Sequence, residues 1–188
     1  MMMHSKGQKT RLIIILSLFF FFSCNKKDDL ADKESGFVIS SSEIKSDSLL
    51  PIDYTCDGVS ATLPLVWSGE PAGTKSFALV MHHEASPTDI HWYWVLYNIP
   101  SSVHSLPRNV TVIGTLGANS VNDRNEYAPP CSQGPGIKAY TYTVYALSSN
   151  PVIGVPQTEV TRQVLLDAIK SITLSSAKMT VYYSRELK

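Results

Sequence analysis

The sequence predicts a mostly β domain, with strands in an antiparallel arrangement, one late helix and a closing strand. Strand-type patterns recur along the chain, and segments rich in Gly, Pro, Asn, Asp and Ser separate them. A single segment near the C-terminus shows helical spacing of its apolar residues. No internal repeat or second linker interrupts residues 37–188, so we expect one domain there.

Two segments predict buried strands. Residues 76–81, "SFALVM", form a continuous apolar run, which is typical of a strand covered on both faces. Residues 92–99, "WYWVLYNI", are rich in aromatic and β-branched residues, and Pro100 ends them. Alternation places Trp92 and Trp94 on one face of this strand, and we assign both to the core.

Two later segments alternate clearly. Along residues 139–147 and again along 177–183, every second side chain falls on the same face of a strand. The residues predicted to share one face of each strand are Tyr140, Tyr142, Val144 and Ala146, and then Ala177, Met179, Val181 and Tyr183.

The late helix is predicted over residues 158–171, "TEVTRQVLLDAIKS". Thr158 is the predicted N-cap, and Pro156 closes the preceding loop. The apolar residues at helical spacing are Val160, Val164, Leu165, Ala168 and Ile169.

The N-terminus has the pattern of an export signal. A cationic start precedes an apolar run of 11 residues, which suits a signal-peptide core and is too short to span a membrane. The run ends in "FFSC", which resembles the lipobox of bacterial lipoproteins. The resemblance implies that residues 1–23 are removed and that Cys24 carries lipid. An ordinary signal peptide with an incidental cysteine is the alternative.

Residues 24–36, "CNKKDDLADKESG", are charged and nearly free of large apolar side chains, so we expect a disordered tether. The "KKDD" within it resembles short signals that direct some bacterial lipoproteins to the cell surface. We therefore expect a bacterial export product anchored in the periplasm or at the outer membrane, with a cell-surface location left open.

Charge argues against polyanionic partners. The whole chain has formal net charge zero, and without residues 1–23 it carries 13 basic against 16 acidic residues. A weakly acidic protein has no electrostatic reason to bind nucleic acid or anionic membranes. We expect membrane attachment through the lipid anchor only.

The stretch 81–98, "MHHEASPTDIHWYWVLYN", gathers three histidines, a glutamate and two tryptophans. His83 and Glu84 begin like the zincin motif, but Pro87 stands where the second histidine is required and also opposes a helix. A metal site built on strands from His82, Glu84 and His91 is an alternative. With no CxxC or HxH pair in the chain, we expect neither metal nor cofactor.

Enzymatic activity has little support in the sequence. There is no GxSxG elbow for a nucleophilic serine. Cys131, in "PPCSQG", is a candidate nucleophile beside a histidine, which keeps open a hydrolase using the His, Glu and Cys side chains. In an exported protein it is more often a disulfide partner, and Cys56 is the cysteine available to it. We expect a non-enzyme and leave the disulfide open.

A ligand pocket explains the cluster better than a polar loop, because aromatic residues with a few convergent polar groups line such pockets. Strand alternation places His82 and Glu84 on one face of their strand. On the next strand it places His91 with Tyr93.

The segments "YTCDG", "PAGTKSFAL", "VLYNIP" and "YTVYAL", in this order, resemble the phosphatidylethanolamine-binding protein family, and more narrowly its bacterial Raf-kinase-inhibitor-like branch. The resemblance covers residues 37–183. It implies two antiparallel sheets in a Greek-key-like arrangement. It also implies a small pocket at one end of the central sheet, where family members bind phosphate, acetate or phospholipid head groups without a metal.

The chain departs from the family pattern at this pocket. The family usually has Asp-Pro-Asp-Ala-Pro where residues 82–86 read "HHEAS", and a histidine where Tyr93 aligns. It usually has His-Arg-Tyr where residues 138–140 read "KAY", so only Tyr140 is unchanged. His82 and Lys138 are compensating cations, and the tyrosine hydroxyls are donors.

The sequence therefore predicts a non-catalytic module that binds a small anion or a phospholipid head group. Glu84 is expected to orient His82 or Lys138. An interaction module with a vestigial pocket and an unspecified protein partner remains an alternative. Pro129 and Pro130 are the predicted pocket wall. The predicted ligand-binding residues are His82, Glu84, His91, Tyr93, Lys138 and Tyr140.

Overall fold

A computed structural model describes residues 1–2, 36–133 and 136–185. Nearly all of the predicted signal peptide, Cys24 and the tether up to residue 35 lie outside the described residues. The strands and the helix all belong to one unit, residues 33–188. In the part of the chain that the structure describes, no helix is long and apolar enough to cross a membrane.

The described residues form two β-sheets and one α-helix. The strands are β1 (Val38–Ser40), β2 (Ser48–Leu49), β3 (Leu65–Ser68), β4 (Ser76–Ser86), β5 (Asp89–Pro100), β6 (Ser105–Leu106), β7 (Thr115–Leu116), β8 (Lys138–Leu147) and β9 (Thr173–Tyr183), and helix α1 (Arg162–Ile169) lies between β8 and β9. The small sheet has the order β1-β3-β6, and the large sheet has the order β2-β9-β8-β4-β5-β7. All pairs are antiparallel except β2 with β9. The predicted fold class is confirmed.

The large sheet is covered on both faces. On the inner face, towards the small sheet, Phe77, Leu79 and Met81 of β4 join the main core. On the outer face, Ala78 and Val80 pack with residues of α1. This double coverage explains the continuous apolar run of β4. The alternation predicted for β8 and β9 is confirmed, because the two predicted sets both lie in the main core: Tyr140, Tyr142, Val144, Ala146, Ala177, Met179, Val181 and Tyr183.

A β-bulge changes the alternation in β5. Met81 pairs with Trp94, but the next residue of β4, His82, pairs with Trp92, so Tyr93 is an extra residue without a partner. Tyr93 and Trp94 both join the inner core, while Trp92 packs against the outer cluster. The prediction that Trp92 and Trp94 share a face is wrong, because the bulge reverses the alternation between them.

Helix α1 begins three residues later than predicted. The N-cap is Thr161, whose hydroxyl oxygen accepts a hydrogen bond from the Val164 amide at 3.3 Å. Thr158 instead lies in a 3-10 turn, Gln157–Glu159. The carbonyl of buried Val160 accepts from the Ala118 amide at 2.8 Å, which keeps this residue out of the helix.

Candidate functional site

Two cavities lie at the same end of the large sheet, one on each face, beside the turn between β4 and β5. The inner pocket has a volume of about 520 Å³ and is lined by His83, Ala85, His91, Tyr93, Ser120, Val121, Cys131, Gln133 and Lys138. The outer groove has a volume of about 360 Å³ and is lined by His82, Glu84, Ala139, Thr141, Lys178 and Thr180.

The predicted convergence of all six site residues is wrong in part. His91, Tyr93 and Lys138 meet in the inner pocket. His82 and Glu84 do share a face, as predicted, but it is the outer face. The cause is the phase of β4: Met81 points into the inner core, so the next inward side chain is that of His83.

His83 is the pocket residue that the sequence prediction missed. Its Nδ1–H donates to the Ala139 carbonyl at 2.9 Å, which fixes the tautomer and leaves Nε2 as the nitrogen that can take up a proton. Its ring stacks on that of His91, with centroids 6.4 Å apart. His91 in turn contacts Asp89 at 3.1 Å. The continuous apolar run of β4 gave no signal for which of two adjacent histidines would face inward.

Two tyrosines form the base of the inner pocket. Tyr93 lines it, and Tyr140 is fully buried behind Tyr93, with ring centroids 5.2 Å apart. Burial raises the pKa of Tyr93, an effect that the adjacent Tyr140 hydroxyl partly offsets. Burial also raises the pKa of Tyr140. Both therefore remain protonated donors at neutral pH, although Tyr140 supports the lining and is not part of it.

Lys138 supplies the permanent positive charge of the inner pocket. It is the first residue of β8, it is half-buried, and its strand partner is Tyr183 of β9. Among the described residues Lys138 forms no ion pair, and none of the lining residues of the inner pocket carries a carboxylate. The pocket is therefore basic and rich in hydrogen-bond donors.

A disulfide between Cys56 and Cys131 holds the wall of the inner pocket, with Cα atoms 5.2 Å apart. The Cys56 amide also donates to the Pro130 carbonyl at 3.0 Å. Pro130 is buried, and neither Pro129 nor Pro130 is among the lining residues. The predicted wall is thus corrected to Cys131 and Gln133. The thiol that the hydrolase alternative required is bonded to Cys56.

A polar cluster of Asp57, Tyr183 and Arg185, called the Asp57 cluster below, lies beside this wall. The Tyr183 hydroxyl donates to Asp57 Oδ2, and Arg185 forms an ion pair with Asp57 Oδ1 at 2.8 Å. Arg185 also lies 3.8 Å from Cys131 Sγ. The cluster ties the end of β9 to the disulfide. The sequence carried no signal for it, because Asp57 and Tyr183 are separated by 126 positions.

The three residues considered for a metal site, His82, Glu84 and His91, do not come together. In residues 36–133 and 136–185, no three His, Cys, Asp or Glu side chains are grouped as metal ligands. The metal ligands suggested by the sequence lie on opposite faces of the large sheet. His82 and Glu84 lie in the outer groove, and His91 lies in the inner pocket.

Comparisons with known proteins agree with this architecture. The family model described as phosphatidylethanolamine-binding protein matches residues 40–184. A UPF0098 protein of Methanothermobacter thermautotrophicus is 32% identical over 141 residues, covering 72% of this chain and 91% of the relative. The UPF0098 protein YbcL of Escherichia coli is 29% identical over 163 residues, covering 77% of this chain and 82% of the relative.

Two crystal structures show the same fold. A homolog from Chlamydia trachomatis, described as a putative phosphatidylethanolamine-binding protein, superposes with a TM-score of 0.73 at 23% identity, covering 81% of this chain and 99% of the homolog. Escherichia coli YbcL superposes with a TM-score of 0.72 at 24% identity, covering 80% and 99% of the two chains. The chain belongs to the phosphatidylethanolamine-binding protein family.

Proposed function

We propose that the inner pocket binds a small anion or the phosphate of a phospholipid head group, without turnover. The observation that carries this proposal is the lining itself. It combines Lys138, two stacked imidazoles and the Tyr93 hydroxyl, and no carboxylate opposes them among the lining residues. Such a set of donors and charge around a concave site suits an oxyanion.

Each polar group has a distinct part in anion binding. Lys138 acts as a point charge, and the Tyr93 hydroxyl donates a directional hydrogen bond. His83, held through Nδ1 by Ala139, donates from Nε2 once it is protonated. At the rim, His91 Nε2 lies 3.1 Å from Asp89 Oδ1. The absence of a lining carboxylate favours the phosphate end of a head group in the pocket, with an ethanolamine ammonium directed outward.

Calorimetry on the intact chain in detergent tests this proposal, with inorganic phosphate, acetate and glycerophosphoethanolamine as ligands. We expect Lys138→Ala to weaken phosphate binding by about 1–3 kcal/mol, as for a charge-assisted contact in a buried site. Lys75→Ala is the matched control, because Lys75 is exposed and precedes β4 at the opposite end of the sheet.

Two results would contradict binding without turnover. One is the failure of all three ligands to bind. The other is hydrolysis of chromogenic esters by the same samples, with or without chelator, at a rate that falls in Lys138→Ala and not in Lys75→Ala. That result would replace the binding module with a hydrolase at the same pocket.

We also infer that the domain is exported and anchored through lipid on Cys24. The cationic and apolar leader followed by "FFSC" supports this. Each acyl CH₂ buried in the membrane would contribute about 0.8 kcal/mol to attachment. Mass spectrometry of natively expressed protein should find diacylglycerol on Cys24. A mature N-terminus at any other residue contradicts the inference.

A further inference from the structure

The outer groove shares no lining residue with the inner pocket. It is built from the outward side chains of β4, β8 and β9, beyond the area that α1 covers. Thr141 of β8 pairs with His82 on one side and with Thr180 on the other, so the groove lies across three neighbouring strands. Its lining residues stand on regular strands and are positioned without a loop.

Two buried polar atoms near this groove lack partners. His82 is 8% exposed, and its Nδ1 has no hydrogen-bond partner among the described residues. Arg162, at the first turn of α1, is half-buried, and its Nε is also buried without a partner among the described residues. Leaving such an atom unpaired costs about 1–3 kcal/mol, so a hydrogen-bond partner for His82 Nδ1 would stabilise this end of the sheet.

The charges beside the groove are mainly positive. Lys178 lines it, and Arg162 lies close enough to His82 for its charge to act on the imidazole. Neither Lys178 nor Arg162 forms an ion pair within the described part of the chain. Glu84 is the one carboxylate in the lining, and its Oε1 lies 3.1 Å from His82 Nε2. Lys178 in the lining and Arg162 near His82 thus supply two positive charges, against one lining carboxylate that already has a partner.

The groove also offers a hydroxyl donor. The Thr141 and Thr180 hydroxyl oxygens are 3.2 Å apart, so one of them donates to the other. The accepting hydroxyl keeps its own hydrogen for a ligand.

We propose that the outer groove is a second anion site, which takes a phosphate-type oxyanion between Lys178, His82 and the Thr141–Thr180 pair, with the charge of nearby Arg162 adding to the attraction. The donors approach from three neighbouring strands, β4, β8 and β9, and Arg162 of α1 adds positive charge without lining the groove. A tetrahedral anion with several acceptor oxygens satisfies them together, whereas a planar carboxylate has only two oxygens. The proposal concerns a different face from the inner pocket and stands whether or not that pocket binds an anion.

Binding in the groove is coupled to a proton. Because Nε2 of His82 is directed to Glu84, a protonated His82 donates to the anion from Nδ1. Burial lowers the pKa of His82, and the charges of Arg162 and Lys178 lower it further, while Glu84 raises it. The neighbours of His82 across the strands, Trp92 and Thr141, are uncharged. A bound anion offsets the environment that disfavours protonated His82, so we expect phosphate affinity to rise as pH falls.

The test uses the intact chain in detergent, carrying Lys138→Ala to disable the inner pocket. Inorganic phosphate is titrated while the histidine ring nitrogens are followed by long-range proton–nitrogen NMR. We expect a saturable shift of the His82 nitrogens that becomes stronger at lower pH. Lys178→Ala and Arg162→Gln should each weaken it at least tenfold, whereas Arg162→Lys should retain it in part. Lys75→Ala is the control that should change nothing.

Clear results would overturn the second site. Unresponsive His82 nitrogens would do so, as would a response that both Lys178→Ala and Arg162→Gln leave intact. If the His82 nitrogens shift only when Lys138 is present, the shift comes from phosphate bound in the inner pocket. Acetate binding as tightly as phosphate would refute the preference for a tetrahedral, phosphate-type anion. Unchanged His83 signals verify that each variant is folded. If the His83 signals change in Lys178→Ala, Lys178→Gln is used in its place.

Discussion

His82 and His83 are adjacent in sequence and lie in opposite environments. His83 is half-buried in the inner pocket, where a backbone carbonyl fixes its tautomer and a second imidazole stacks on it. His82 is almost fully buried, contacts a carboxylate and keeps an unpaired nitrogen. The phase of the strand therefore decides what each histidine can do. The same residue type serves two sites one position apart.

The two sites also differ in how their walls are held. The lining of the outer groove comes entirely from β4, β8 and β9. The inner pocket depends on a wall segment that a disulfide and the Asp57 cluster tie to the rest of the domain. Conditions that act on the cross-link should therefore affect the inner pocket more than the groove.

The largest effect is expected from the disulfide. Cys56 and Cys131 are separated by 75 positions, and the chain-entropy model gives about 4 kcal/mol for closing a loop of that size. We expect Cys56→Ser with Cys131→Ser to lower the free energy of unfolding by this amount and to weaken phosphate in the inner pocket more than in the outer groove. Urea unfolding and the NMR titration measure the two effects.

A thiol titration provides the control for this prediction. Unfolded, unreduced protein should show at most one free thiol, that of an unlipidated Cys24. Three free thiols would mean that the Cys56–Cys131 bond does not form and would remove the basis for the stability prediction.

The next effect concerns the inner pocket alone. His83→Ala removes the donor to the Ala139 carbonyl and the cross-strand contact with His91, which together should cost about 2 kcal/mol of folding free energy. It should also reduce phosphate affinity in the pocket about tenfold, or about 1.4 kcal/mol. His91→Ala is the matched comparison, with a smaller loss of stability because His91 is exposed. Equal losses in the two variants would contradict the anchoring role of His83.

Much of the fold could be predicted from the sequence, because the alternation in β8 and β9 and the apolar run of β4 report burial directly. The site was less predictable for three physical reasons. The side chains of a run covered on both faces do not reveal which of them point inward, so the sequence predicts His82 in the position that His83 occupies. The bulge at Tyr93 depends on pairing with β4, which is a long-range property. The Asp57 cluster joins segments that are distant in sequence.

A third prediction concerns the start of α1, where Arg162 is located. Thr161→Ala removes the N-cap and should cost about 1 kcal/mol of folding free energy. Fraying of the first turn would displace Arg162. Phosphate binding should therefore weaken in the outer groove and stay unchanged in the inner pocket. Thr158→Ala is the control, because Thr158 is exposed and caps nothing that the structure describes. A larger effect in Thr158→Ala would restore the earlier helix start that the sequence suggested.

The smallest effect expected is the pH dependence of stability due to His82. Burial, Arg162 and Lys178 lower the pKa of His82 in the folded protein, and the contact with Glu84 offsets part of this shift. The unfolded chain therefore takes up a proton at this residue at a higher pH than the folded protein does. The contribution of His82 to stability is complete above the unfolded pKa of about 6.5 and falls as pH decreases below it. Urea unfolding between pH 7.5 and 5 should show a decline that His82→Gln reduces. Phosphate should also reduce this decline in stability, because an anion in the outer groove favours protonated His82. A decline of equal size in His82→Gln would assign the pH dependence to other groups and would separate the outer groove from proton uptake.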